Sequence, residues 1–285
     1  MLLLVLASLL WSVSFALIDQ SGIDPDLLAA ARLTLAALLF SPALLRQRVQ
    51  PGRALALMGI GALQFGLMYV LVMRAYAYLA GHEVALLTIT TPLFVVLAGA
   101  LLSRKSSRRW RARPWCAAAI AVAAAYALRG GGARVGSEAA FWTGVGLVQA
   151  ANLSWAAGQV LYTRLESSSG AGSLARFGWL YVGGALLACA WGAAQVQPGH
   201  LDLDSGQVLT LLYLGLVPSG AAFFLWNRGA TQVGIGTLAA MNNLKIPLAV
   251  AVALAPPFNE AADLTRLLAS AALLTGALWV ARTPD

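Results

Sequence analysis

The sequence is poor in charged residues, which make up only 11% of it, against 60% hydrophobic residues. A soluble domain carries about 25% charged residues, so this chain lacks the polar side chains that would cover a water-facing surface. Its apolar stretches include Leu2–Ile18, Leu27–Leu45 and Val84–Leu102. Each approaches or meets the ~20 residues that a helix needs to cross hydrocarbon, and alternating strand patterns are absent. The class indicated is an all-α integral membrane protein.

Cysteine and histidine are scarce as well, with two of each. Cys116 and Cys189 both fall in apolar stretches, so a disulfide framework has no support. His82 and His200 alone cannot supply a metal-ligand motif or a catalytic base beside a nucleophile. We therefore predict no enzyme, no metal site and no cofactor.

Ten apolar stretches, bounded by charge, glycine or proline, predict ten transmembrane helices. The first lacks the basic start and the cleavage site of a signal peptide, and we interpret it as a true span. The predicted spans are Leu2–Ile18, Leu27–Leu45, Ala54–Tyr78, His82–Leu102, Pro114–Leu128, Ala139–Thr163, Leu174–Ala194, Gln207–Trp226, Gly236–Leu254 and Leu264–Ala281.

The net charge of +8 comes largely from the connections between spans. Six cations lie within Arg104–Arg113, between two apolar stretches, as is typical of a cytoplasmic loop and not of a nucleic-acid site. With the N-terminus in the cytoplasm, most cations fall on the inner side and most acids on the outer side. The sequence thus predicts both termini inside and the bilayer as the surrounding medium.

The chain contains a weak internal repeat. A shift of 144 residues aligns Trp11 with Trp155, and a shift of 155 aligns Pro92 with Pro247. We divide the chain into residues 1–135 and 136–285. Because five spans per half is an odd number, the second half must enter the membrane from the opposite side. Inverted repeats of this kind place a binding site near the midplane and permit alternating access.

With ten predicted spans in two halves and a mid-span proline in each half, the chain resembles the drug/metabolite transporter superfamily. Within that superfamily it resembles the EamA-type members, and among these the YddG-type amino acid exporters. The segments that carry the resemblance are Trp11–Ser14, Gly81–Pro92, Asn152–Trp155 and Gly236–Pro247. It implies a secondary-type exporter of small metabolites, mainly amino acids including aromatic ones, in the bacterial inner membrane. Many relatives carry a glutamate before the mid-span proline, where this chain has threonine and isoleucine. A mechanism that needs that carboxylate is therefore not carried over.

Two polar residues in the ninth predicted span, Asn242 and Lys245, are candidates for substrate binding. Lys245 lies ~13 Å into its helix at ~1.5 Å per residue. A lysine at a helix centre costs roughly 2.5–3.5 kcal/mol on insertion, so we expect it to face a wet interior and to bind a substrate carboxylate. The alternative is a side chain stretched toward the inner headgroups.

Trp11 and Trp155 form a second group of candidates because both lie far from the membrane interfaces. Aromatic walls suit flat or apolar substrates and attract an ammonium group. Asn152 shares a helix face with Trp155. The alternative is ordinary aromatic packing.

Pro92 and Pro247 each remove a backbone donor and free a carbonyl one turn earlier. In hydrocarbon such groups persist only where protein or a water-filled cavity satisfies them. We predict that the prolines bend their helices around the cavity and expose carbonyls to substrate; a kink used for packing is the alternative. Thr88 is a weaker candidate, since threonines also join helices together.

Tyr78 and His82 are candidates at the predicted outer end of the bundle. His82 is either a gate, a proton acceptor or an interfacial residue, and Tyr78 is either a binding residue or part of an aromatic belt. No acid lies deep inside a predicted span, so the sequence gives no support to a carboxylate-based proton or sodium site. Arg32 and Arg176 are expected to snorkel from their helix ends.

Two alternatives to amino acid export stay open. A nucleotide-sugar or other metabolite carrier would need more cations facing the cavity than Lys245 alone. A non-enzymatic assembly or receptor subunit would have no cavity and no flux. We expect a small-molecule substrate, no nucleic-acid partner and a monomer.

Overall fold

The structure of the chain is a computed structural model, and it describes residues 1–102, 137–167, 174–230 and 235–281, with 116, 119–120, 123–124 and 127 between them. Every regular element in those residues is helical. Within them, six helices are long and apolar enough to cross a membrane. The fold is therefore that of an all-helical membrane protein. The predicted span Pro114–Leu128 and the arginine cluster fall mainly outside the described residues, so the number of ten spans stays a prediction.

The helices follow the predicted spans closely. We number them α1 (Leu2–Gln20), α2 (Pro25–Arg46), α3 (Pro51–Gly61, Ala62–Leu67 and Met68–Ala75), α4 (Gly81–Leu87, Thr88–Thr90 and Thr91–Leu102), α5 (Glu138–Ser167), α6 (Leu174–Gln195), α7 (Ser205–Leu214, Gly215–Ala221 and Ala222–Ala230), α8 (Ile235–Leu254) and α9 (Leu264–Ala281). A short 3₁₀ turn, Pro198–Leu201, precedes α7.

Local sequence explains where two of these helices begin. Asp24 accepts hydrogen bonds from the backbone N–H groups of Asp26 and Leu27, and Pro25 occupies the first turn of α2. The first N–H groups of a helix have no partner inside the helix. The Asp24 side chain supplies an acceptor for two of them, and Pro25 has no N–H that would need one. Asp204 and Gln207 form a reciprocal capping box at the start of α7.

Two helices contain a π-helical turn at related positions. The turn in α3 covers Ala62–Leu67 and the turn in α7 covers Gly215–Ala221. The shift of 154 residues that aligns Gly61 and Arg74 with Gly215 and Arg228 carries the first turn onto the second. In a π-helical turn the regular ladder of hydrogen bonds is interrupted, and such turns are frequent at functional sites.

The packing of the helices is reciprocal between the two predicted halves. The first helix of each half packs on the third and fourth helices of the other: α1 on α7 and α8, and α5 on α3 and α4. The second helices, α2 and α6, pack against one another, and each also packs on the third helix of the other half. The two predicted halves are thus interleaved and not side by side.

The crossing of α3 and α6 is close enough to require glycine. A Cβ atom on Gly61 would lie 1.9 Å from the carbonyl oxygen of Leu180, and one on Gly183 would lie 1.9 Å from that of Met58. Next to this crossing, the rings of Phe65 and Tyr181 stack with centroids 4.7 Å apart. The backbones touch there, as is typical of small residues at membrane helix interfaces.

Candidate functional site

Trp11 lies at the junction of α1, α7 and α8. Its indole N–H donates to the carbonyl oxygen of Pro218, in the π-helical turn of α7, at 2.8 Å. Phe223 and Trp226 of the same helix lie 4.8 and 5.3 Å from its ring, measured between centroids. Only 8% of Trp11 is exposed. Trp11 therefore belongs to a buried aromatic group with Phe223 and Trp226, and a hydrogen bond to backbone fixes it there.

Lys245 points inward, onto this aromatic group. Its Nζ atom lies 5.2 Å from the centroid of the Trp11 ring, within the ~6 Å over which a cation is attracted to a ring face. In the part of the chain that the structure describes, no carboxylate forms an ion pair with Lys245. Its ammonium group is thus directed toward the interior, as required of a group that would bind a substrate anion.

Replacing Trp11→Phe should lower thermal stability, because it leaves the Pro218 carbonyl without its donor in a buried site. Loss of one partner of a buried hydrogen bond costs about 1–3 kcal/mol. Thermal unfolding of the purified protein measures the change. Trp279→Phe is the matched control, since Trp279 is 74% exposed. Equal melting temperatures for the two variants would contradict the structural role of the indole N–H.

A polar network joins α4 to α5. The Asn152 amide donates to the hydroxyl of Thr90 at 3.0 Å and to the carbonyl of Leu87 at 3.2 Å. The Thr90 hydroxyl lies 2.6 Å from Gln149 Oε1, and the Thr91 hydroxyl oxygen lies 3.2 Å from Asn152 Oδ1. Asn152, Thr90 and Thr91 are all buried. α8 contacts both α1 and the Thr88–Thr90 turn, so the helix of Lys245 lies between the aromatic group and this network.

Only one of the two mid-span prolines interrupts its helix. In α4, the 3₁₀ turn Thr88–Thr90 directly precedes the helical segment that contains Pro92. In contrast, α8 continues without a break through Pro247, which is exposed. The carbonyl of Thr88, which Pro92 leaves without a backbone donor, accepts from the Thr91 hydroxyl at 2.6 Å. In this conformation the protein itself therefore satisfies the freed carbonyl. The Thr88 hydroxyl donates to the carbonyl of Ala85 at 2.7 Å.

Arg32 does not snorkel, contrary to the expectation from the sequence. It lies about 10 Å into α2 at ~1.5 Å per residue, and only 4% of it is exposed. Its Nε donates to the hydroxyl of Ser219 at 3.0 Å, and its guanidinium lies 4.8 Å from the centroid of the Tyr69 ring. The side chain turns inward because the π-helical turn of α7 offers it an acceptor. The argument used for Lys245, that a cation far from the helix ends should face the interior, would have predicted the inward position of Arg32.

The acids near the start of α4 are not all in water-exposed loops. Glu83 is fully buried and only 8% of Asp19 is exposed. Glu260 reaches them from the connection between α8 and α9, where its Oε2 lies 2.7 Å from His82 Nδ1. All three acids lie at helix ends or in a connection, as the sequence predicts, but depth along a span does not indicate that the connection before α9 folds over the end of the bundle and buries them.

The remaining predicted residues are more scattered. Tyr78 packs beside Gly144 of α5 at one end of the bundle, and Trp155 is half-buried on α5. The side chain of Asn242 lies outside the described part of the chain. The predicted residues thus divide into the Trp11–Lys245 group, the Asn152 network and the group around His82.

A polytopic helical protein with interior cations, a buried aromatic group and three interrupted helices, α3, α4 and α7, has the features of a membrane carrier. Residues 1–129 and 142–282 match the EamA-like transporter family. The chain belongs to that family.

Similar proteins are named for one substrate. The chain is 37% identical to the biotin transporter of Salmonella typhimurium over 290 residues, covering 99% of this chain and 93% of that protein. It is 36% identical to the biotin transporter of Escherichia coli over 292 residues, with coverage of 99% and 93%. It is also 36% identical to a probable biotin transporter of Pseudomonas aeruginosa over 284 residues, covering 98% and 96%.

The fold has a counterpart among solved structures. One crystal structure superposes with a TM-score of 0.65 at 23% sequence identity, covering 98% of this chain and 96% of that one. At this identity the likeness concerns the fold alone.

Proposed function

We propose that this protein carries biotin, or a closely related carboxylate metabolite, across the bacterial inner membrane. The observation that carries the proposal is the inward-facing Lys245 on the ring of Trp11, without a carboxylate partner among the described residues. The names of the relatives, at 36–37% identity over nearly the whole chain, point to the same substrate.

The chemistry of biotin suits the groups around Lys245. Its valerate tail ends in a carboxylate, which an interior ammonium group binds through charge-assisted hydrogen bonds. Its apolar tail and thioether ring suit the wall formed by Trp11, Phe223 and Trp226. Its ureido group has donors and acceptors, as the network of Thr90 and Asn152 on the neighbouring helices does.

Amino acid export, which the sequence suggested, fits these groups less well. A zwitterion needs a partner for its ammonium group as well as for its carboxylate. In the described interior, the face of Trp11 is already occupied by the ammonium group of Lys245, and Arg32 adds a second cation. Around Trp11 and Ser219, these two cations favour an anion without an ammonium group. Amino acids stay the second candidate.

The proposed mechanism is alternating access between two inverted halves, residues 1–135 and 136–285, with both termini cytoplasmic. The reciprocal packing of α1 on α7 and α8, and of α5 on α3 and α4, supports two halves of related structure. The two stretches matched by the family, 1–129 and 142–282, fall on either side of the proposed boundary. The π-helical turns in α3 and α7 would let both halves bend near the midplane. One chain suffices for this mechanism.

Exchange of radiolabelled biotin in proteoliposomes tests the proposal. Vesicles loaded with unlabelled biotin should accumulate the label faster than protein-free vesicles. Biotin methyl ester, which lacks the carboxylate, should compete poorly. A panel with tryptophan, phenylalanine and a nucleotide sugar distinguishes the other carriers. Exchange of an amino acid without exchange of biotin would refute the proposed substrate, and absence of exchange for every compound would refute carriage.

A further inference from the structure

At the end of the bundle where α1 ends, three separate parts of the chain meet in a closed arrangement. The backbone N–H of His82 donates to Glu260 Oε2 at 3.0 Å, and His82 Nδ1 lies 2.7 Å from the same oxygen. The side-chain amide of Gln20 donates to the carbonyl of Phe258 at 2.7 Å. The connection between α8 and α9 is therefore tied both to the start of α4 and to the end of α1.

Gly81 shows how tight this closure is. A Cβ atom there would lie 2.7 Å from Glu260 Oε1 and 3.0 Å from the carbonyl oxygen of Phe15. The side chain of Glu260 is only 6% exposed and that of His82 only 2%. Within the described residues, Glu260 and α4 therefore close this end of the bundle. The His82–Glu260 contact, which holds them together, is called the clamp below.

Negative charge is in excess beside the clamp. Asp19, Glu83 and Glu260 are carboxylates grouped around the single imidazole of His82. Of the two oxygens of Glu83, Oε2 accepts from the backbone N–H of Ala80 at 2.9 Å. Glu83 Oε1 and Glu260 Oε1 are both buried without a hydrogen-bond partner among the described residues. A buried ionised carboxylate without a partner is strongly unfavourable. Asp19 and Glu260 further oppose a negative charge on Glu83.

The neighbouring groups are engaged to different degrees. Arg32 of α2 contacts Ser219 and Tyr69. Glu260 Oε2 receives the backbone N–H of His82 and also faces its ring, whereas Glu83 Oε2 receives one backbone N–H. Of these two acids, Glu83 therefore has the fewer partners for a negative charge.

We propose that Glu83 binds a proton on Oε1 when this end of the transporter is closed, and releases it when the end opens. The proposal rests on the proposed carrier function. Deprotonation places a further full negative charge beside Glu260 and Asp19, and the repulsion separates the His82–Glu260 clamp. Proton release and binding at this end would then accompany its opening and closing, so that the pH on this side of the membrane controls how often the end opens.

The direction of the pH effect follows from linkage. Closure favours the protonated form of Glu83, so the closed end binds protons more tightly than the open, hydrated end. Protonation therefore stabilises closure at low pH, and this stabilisation is lost as pH rises. Acid on this side of the membrane should hold this end closed, and alkali should open it.

Spin labels across the clamp test the proposal without any substrate. Ala77 precedes α4 and Ala261 follows Glu260 in the connection before α9, and both residues are exposed. They are changed to cysteine after Cys116 and Cys189, both exposed, are replaced by alanine. In reconstituted protein the label-to-label distance should lengthen as pH rises from acidic to alkaline. In Glu83→Gln, which mimics the protonated acid, the distance should stay short at every pH.

Glu138→Gln is the matched control, because Glu138 also lies in the first turn of its helix but is exposed. It should keep the full pH response. A distance that ignores pH in the parent protein, or an unchanged response in Glu83→Gln, would overturn the proposal. Biotin exchange is measured on the same proteoliposomes. Exchange without a pH-dependent distance removes the proton site and leaves the proposed function intact.

Discussion

Replacing Lys245→Met should weaken biotin binding by about 10- to 100-fold. A hydrogen bond to a charged group contributes about 1.5–3 kcal/mol, and each 1.4 kcal/mol changes affinity about tenfold. Methionine keeps the length and apolar stem of the side chain, so packing on Trp11 is preserved. Biotin exchange at a series of concentrations measures the effect, which should appear as a higher half-saturating concentration.

The ester of biotin provides the internal control for this variant. Because biotin methyl ester has no carboxylate, its weak competition should be the same in the parent protein and in Lys245→Met. Lys245→Arg keeps the charge and should retain most of the affinity. If Lys245→Met discriminated between acid and ester as well as the parent protein does, another cation would have to bind the carboxylate.

Gly61→Ala should cause a large loss of stability. The new Cβ atom would meet the Leu180 carbonyl at 1.9 Å. The obstacle is backbone and not a flexible side chain, so α3 and α6 must move apart. Overpacking costs typically about 1–3 kcal/mol and occasionally more, and a backbone clash belongs at the upper end. Yield and monodispersity after detergent extraction, together with thermal unfolding, report the loss.

Gly59 offers a control two residues away on the same helix. No atom lies within 4 Å of the Cβ position there, so Gly59→Ala adds a methyl group without a clash and gains helix propensity. It should leave yield unchanged or raise it slightly. Comparable behaviour of Gly59→Ala and Gly61→Ala would mean that the close crossing of α3 and α6 does not limit stability.

Much of this architecture could be predicted from the sequence, because the bilayer imposes a simple rule on hydrophobic length. The predicted span Leu2–Ile18 became Leu2–Gln20, and Leu174–Ala194 became Leu174–Gln195. The inward position of Lys245 also followed from a general cost, that of a cation in hydrocarbon. Its neighbour Trp11 was named as a candidate binding residue because it lies far from the membrane interfaces in α1.

Other features depend on contacts that no local pattern encodes. Arg32 turns inward because Ser219, 187 positions away in the chain, lies on a π-helical turn that presents an acceptor. Glu260 belongs to a connection that the sequence places in water, yet the connection folds onto α4. Hydrophobic periodicity describes one helix at a time and does not indicate where a connection packs against other helices.

The interleaved packing has a consequence for biogenesis. α1 is synthesised first, but its partners α7 and α8 are synthesised late, so α1 must wait in the bilayer without them. Its serines are suited to this delay: the hydroxyls of Ser8, Ser12 and Ser14 donate to carbonyls of α1 itself, of Leu4, Leu9 and Trp11. The indole N–H of Trp11, in contrast, depends on α7 for its acceptor, the carbonyl of Pro218. The three hydroxyls thus have acceptors in lipid before any later helix arrives, whereas Trp11 gains its acceptor when α7 packs on α1.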